Sequence, residues 1–179
     1  MNILKISSFI ALALFMCAPQ STHAYFTTGQ TVTRLADHAA LYTITYSFGL
    51  KNEDIFMPVL AKRGVLHSNE ETDSVGYTIQ SADQTSSSKV FDGGVAIGLA
   101  LADTPIVDGM YKIEAGTAKE MTLLVLFLLD EGTNSDTDYG LQVEKLPFLV
   151  DLGKENLQTR QLNQSELQYY ATKKVGLQN

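Results

Sequence analysis

From Tyr25 onward, hydrophobic and polar positions alternate with a period of two. The stretch LYTITYSF places Tyr42, Ile44, Tyr46 and Phe48 on one face and Thr43, Thr45 and Ser47 on the other, as in a strand with one buried face. VGYTIQS repeats the pattern with Val75, Tyr77 and Ile79. VAIGLALA sets Val95, Ile97, Leu99 and Leu101 against Ala96, Gly98, Ala100 and Ala102, a face of small residues that another backbone could approach closely. GMYKIEAG offers Met110 or Tyr111 together with Ile113. YGLQVEKLPFLV offers Leu141 and Val143 and then, one step out of phase, Leu146, Phe148 and Val150. That slip predicts a bulge near Lys145. Pro58 and Pro147 cannot donate to a ladder, so each predicts an edge strand or a bulge, with edge protection the preferred reading. If the edge near Pro147 is open, an extended peptide could add a strand there.

Turn signals separate these runs at short intervals: Lys51 to Asp54, Ser68 to Glu71, Asp92-Gly93-Gly94, Asp108-Gly109 and Ala115-Gly116. Together they predict an all-β fold, an immunoglobulin-like two-sheet β-sandwich of seven or eight antiparallel strands. The Cys and Trp marks of true immunoglobulin domains are absent. The sandwich is expected to span residues 25–153, with a serine-rich connection from Ser81 to Lys89. Residues 154–179 form a C-terminal tail, packed on the sandwich or flexible, in which Ser165 and Gln168 have the spacing of a capping box.

One run departs from the alternation. Met121 to Leu129 is apolar at nearly every position, yet it is far shorter than the roughly 20 residues a membrane span needs. As a strand it carries Leu123, Val125, Phe127 and Leu129 on one face and Leu124, Leu126 and Leu128 on the other. A central strand of a sandwich turns only one face to the core, so the second stripe needs a cover. The preferred cover is the chain itself, through Leu167, Tyr169 and Tyr170 of the tail or through a crossing loop. A protein partner or a second copy is the next, with Leu124, Leu126 and Leu128 as the interaction stripe.

The N-terminus fixes the expected destination. Lys5 precedes an apolar stretch from Ile6 to Ala18, and Thr22 and Ala24 stand at the −3 and −1 positions of a cleavage site after Ala24. Residues 1–24 therefore read as a cleaved signal peptide, and the protein as exported, periplasmic or secreted. Cys17 is the only cysteine and would leave with that segment, so the exported chain carries no disulfide. Its formal charge is −7 before cleavage, which argues against nucleic acid and anionic lipid as partners. No stable membrane insertion is expected once the signal peptide is gone.

Little in the chain points to catalysis. There is no G-x-S-x-G, and no thiol remains after cleavage. His67 to Glu71 has Glu71 where an H-x-x-E-H zinc motif needs its second histidine. In NSDTD, Asn134, Asp136 and Asp138 have the spacing that opens a calcium loop, but Tyr139 and Lys145 occupy the positions of its glycine and bidentate glutamate. The expectation is a non-enzymatic protein, without a cofactor, that works by binding or structural association. The alternative is a calcium- or glycan-binding module using the 130–138 loop, with Asp130, Asp136 and Asp138 as metal ligands; otherwise that loop is a solvated hairpin.

Overall fold

The alternating stretches fold as strands around a single apolar core, in a computed structural model that describes residues 23–64, 73–82, 91, 93–133, 137–154 and 156–178. In chain order the strands are β1 (His23–Ala36), β2 (Ala39–Leu50), β3 (Asp54–Pro58), β4 (Leu60–Arg63), β5 (Ser74–Ser81), β6 (Gly94–Ala102) and β7 (Ile106–Val107). They continue with β8 (Met110–Ile113), β9 (Lys119–Leu129), β10 (Thr137–Lys145), β11 (Pro147–Asp151) and β12 (Leu157–Gln161). One helical turn, α1 (Gln164–Leu167), precedes β13 (Val175–Leu177).

The protein is all-β with two sheets. An eight-stranded sheet runs β1-β2-β9-β6-β4-β5-β10-β13, and a five-stranded sheet runs β12-β11-β3-β8-β7. Among the described residues thirteen strands form where seven or eight were expected, the additional ones including β1, the short β4 and β7, and β12 and β13 in the segment expected as a tail. The pairing is antiparallel except for β4 and β5, which run parallel. The larger sheet curls almost into a barrel. Its two ends meet where Gln178 donates its backbone N–H to Asp37 O and where the side chains of Thr27 and Gln30 donate to Tyr169 O.

The inward faces read from the alternation hold for most strands. Tyr42, Ile44, Tyr46 and Phe48 of β2 are fully buried, as are Val75, Tyr77 and Ile79 of β5 and Leu141 and Val143 of β10. In β8 the core takes Tyr111 and Ile113, leaving Met110 half-buried. Phe48 meets Phe148 edge-on at 5.1 Å, joining the two sheets. At Asp108 and Gly109 both φ angles are positive, +51° and +78°, as a two-residue hairpin turn between β7 and β8 requires.

The phase slip in β10 is a bulge. Its pairing with β5 jumps between Val143 and Lys145, after which Leu146, Phe148 and Val150 are buried on the other parity. The prolines, however, do not protect edges. Strands β3 and β11 are both interior to the smaller sheet, and β11 is paired on one side by β12 and on the other by β3. Strand addition near Pro147 is thus blocked. Pro58 ends β3 just before the chain passes to β4 of the larger sheet, and Pro147 begins β11 just after the chain leaves β10, so each stands where the chain changes sheet. A strand's terminal position tolerates a residue without an N–H, although Pro58 still stands opposite Met110 and Pro147 opposite Gln161.

The C-terminal segment completes both sheets. Strand β12 pairs with β11, β13 pairs with β10, and Leu162, Leu167, Tyr170 and Leu177 lie in the core. The capping box forms two residues earlier than the Ser165 and Gln168 spacing suggests. Asn163 Oδ1 accepts the Glu166 N–H at 3.0 Å, and Glu166 Oε2 accepts the Asn163 N–H at 2.8 Å. Asn is as good a cap as Ser, and here it is followed at the right distance by a carboxylate. Residues 1–22 of the expected signal peptide, most of the serine-rich connection, His67 to Glu71 and Asp92 lie outside the described residues.

Candidate interaction face

Strand β6 pairs along its whole length with Met121 to Leu129 of β9, so their outward side chains form one surface. In β9 the core takes Leu123, Val125, Phe127 and Leu129. Leu124 and Leu126 are half-buried and Leu128 is 36% exposed, all on the outer face. The tail does not cover them. Its Leu167 and Tyr170 are buried in the core, with the Tyr170 ring 5.7 Å from that of Tyr46, which points inward; Tyr169 faces solvent. Among the described residues, no element lies over the leucine stripe.

Strand β6 extends the stripe. An alternating strand ordinarily turns its large apolar residues to the core, and β6 does the reverse. Val95, Ile97, Leu99 and Leu101 are between 44% and 59% exposed, while Ala96, Gly98, Ala100 and Ala102 face inward. The cause lies at the seam with β4, where the two strands share a single residue pair, Leu60 with Leu99. Beyond that pair, backbone carbonyls of β6 accept hydrogen bonds from side chains. Tyr77 OH donates to Ala96 O at 3.3 Å and Tyr111 OH donates to Ala100 O at 3.1 Å. The Arg63 guanidinium donates to Gly94 O and, just before the strand, to Phe91 O.

Buried carbonyls must find donors, and here the donors are long side chains that arrive from the core side. Two tyrosines can reach β6 only if its inward face is small. A Cβ on Gly98 would stand 2.5 Å from Tyr77 Cε1, closer than atoms pack. Burial raises the Tyr77 hydroxyl above its ordinary pKa, with the Arg63 charge opposing it, so the donor keeps its proton. The small-residue face is the mark of this arrangement in the sequence; what approaches it is aromatic rings rather than another backbone.

Cross-strand register makes the outward surface continuous. One row runs Leu60, Leu99, Leu124, Thr43 and Thr31; the next runs Ile97, Leu126, Leu41 and Thr33; a third joins Val95 to Leu128. Leu101 stands opposite Thr122, whose hydroxyl meets that of Thr45 at 3.3 Å. No charged residue stands in these rows. Charges appear at the margin: Lys62, 3.4 Å from Asp73, and the exposed Glu120 and Asp130 at or just beyond the ends of β9. The exposed apolar area is on the order of 600 Å², at the upper limit of the largest patch on a typical monomer.

The acidic connection is not a hairpin. Strands β9 and β10 lie four places apart in the larger sheet, so the segment that joins them does not close a hairpin between neighbouring strands. Asp130 and Asp138 are exposed at the two ends of this segment, and Asp136 lies outside the described residues. Phe91, Phe127 and Tyr139 form an aromatic cluster with centroids 4.9 to 6.2 Å apart. Among the described residues, no three His, Cys, Asp or Glu side chains gather as they would around a metal ion. A shallow cleft between β1 and α1 is lined by Thr27, Gln30, Glu166 and Tyr169, but Thr27 and Gln30 are already engaged with the Tyr169 carbonyl.

No protein-family model matches the chain, and no curated protein matches it. Among the described residues, no helix is long and apolar enough to cross a membrane.

Proposed function

We propose that the protein is exported, non-catalytic, and works by association through the outer face of β6 and β9. Leu124, Leu126 and Leu128 form one half of that face, and Val95, Ile97, Leu99 and Leu101 the other. One observation supports the reading above all: among the described residues a continuous, uncharged apolar surface remains open beside a filled core. Contiguous patches of this size mark interaction sites, because leaving them in water forfeits about 25 cal/mol for each Å². Export, to a periplasm or beyond the cell, rests on the pattern of residues 1–24. The immunoglobulin-like comparison belongs to this proposal at the level of layering, two sheets about one core.

The test is a pair of measurements on the exported protein and on Leu99→Lys/Leu126→Lys. The native chain is expected to self-associate or to bind an apolar fluorescent dye, and the double variant to lose that behaviour while keeping its far-UV circular dichroism. A native chain that is monomeric, binds no dye, and is indifferent to the two lysines overturns the proposal.

A further inference from the structure

The open face has a composition that selects among occupants. It is uncharged across four strands, in a chain of net charge −7. Two such chains repel at a distance, and they can dock closely only through surfaces that bring no like charges together. The face meets that condition. Its apolar rows are bordered on the β1 and β2 side by Thr31, Thr33, Thr43 and Thr45, hydroxyls that can pair with their own kind. With those threonines its area approaches the roughly 800 Å² per partner that a stable complex buries. An anionic lipid surface would instead call for lysines and arginines in the rows, and none is there.

Shape points the same way. Outward rows on a twisted sheet are the surface that sheets use when they pack face to face, about 10 Å apart. Ile97, Leu99, Leu124 and Leu126 form the centre of the patch, where neighbouring strands carry large side chains directly opposite one another. A two-fold axis through that centre lays the same four residues of each chain against those of the other and closes the assembly at two.

Building on the association reading above, we infer that the occupant of this face is a second copy of the chain, packed sheet to sheet across β6 and β9. The test is the solution mass of the exported protein by light scattering and sedimentation over a hundredfold range of concentration. The native protein is expected at the mass of two chains, and Leu99→Lys/Leu126→Lys at the mass of one. Gln158→Lys, on the far sheet in β12, is expected to remain at two. Ile97→Thr keeps a β-branched residue in the strand and is expected to raise the dissociation constant at least about tenfold, which keeps the inference testable if the double lysine variant fails to fold.

A native mass of one chain at every concentration overturns the inference. If that monomer binds the apolar dye or neutral phosphatidylcholine vesicles, and Ile97→Thr weakens the binding, the face is an association surface with a different occupant. If it binds neither, the association reading falls as well. A mass that climbs beyond two with concentration overturns the closed pairing. A dimer that survives both the double lysine variant and Ile97→Thr places the interface elsewhere and also overturns the inference.

Discussion

Tyr77 lies against Gly98 so closely that a Cβ there would sit 2.5 Å from Cε1 and 2.9 Å from the hydroxyl oxygen. That contact turns the bulky residues of β6 to the outside. Gly98→Val is expected to destabilise the fold by about 1–3 kcal/mol, because the ring must move and give up its bond to Ala96 O. Tyr77→Phe keeps the packing and loses only that bond, so about 0.5–1.5 kcal/mol is expected. Urea denaturation measures both. A Gly98→Val variant as stable as the native chain contradicts the account of β6.

The C-terminal segment belongs to the core rather than lying over the leucine stripe. Leu167→Ala and Leu177→Ala each remove a side chain that is at most 2% exposed, and each is expected to cost about 2–5 kcal/mol. A chain ending at Lys154 loses β12 and β13 and is expected to show no cooperative thermal transition. A folded, associating truncation would instead mean that the tail had been a cover.

Asp54 and Lys112 join β3 to β8 through a 2.7 Å ion pair, and Asp54 also accepts the Ala115 N–H at 2.8 Å. The Lys112 bond, with that backbone N–H, holds the Asp54 carboxyl below its ordinary pKa of 3.8, and Asp54 raises Lys112 above 10.5. A lowered acid stabilises the fold above its unfolded pKa and stops doing so as pH falls through its folded one; a raised lysine behaves in the opposite sense. The pair therefore contributes fully between about 3.8 and 10.5 and fades outside that window. Asp54→Asn is expected to lower the melting temperature slightly at neutral pH, with the difference shrinking as the pH falls below 3.8. Thermal melts across the acid range measure it; a difference that grows as the pH falls contradicts this assignment.

Much of this fold was legible from the period-two pattern, because a half-buried strand prints its burial directly into alternating residues. The faces of β2, β5 and β10, the bulge before Leu146 and the Asp108-Gly109 turn all follow from local chemistry. What the pattern could not supply was partnership. Whether Pro58 and Pro147 stand at edges or at corners depends on which strands lie beside β3 and β11. Whether residues 130–136 close a hairpin depends on strands far away in the chain. In β6 the alternation marks two faces, one of them small enough for close approach. It does not contain the fact that Tyr77 and Tyr111 come from the inside to satisfy carbonyls left bare by the short β4. The outward leucines of β9 were visible as a stripe in want of a cover, and half of the surface they belong to was hidden in β6.

The orientation of β6 is the point on which the association face depends, and thiol labelling tests it with adjacent residues. Cys17 is the only native cysteine and lies in the expected signal peptide, so a cysteine placed in the strand reports alone. Leu99 is 53% exposed and Ala100 is 2% exposed. Leu99→Cys is expected to react with a thiol reagent at low protein concentration, and more slowly as concentration rises and the face becomes occupied. Ala100→Cys is expected to stay unreactive until the protein unfolds. Rapid labelling of Ala100→Cys in the native state, with Leu99→Cys protected at every dilution, would contradict the outward turn of β6 and the association face built on it.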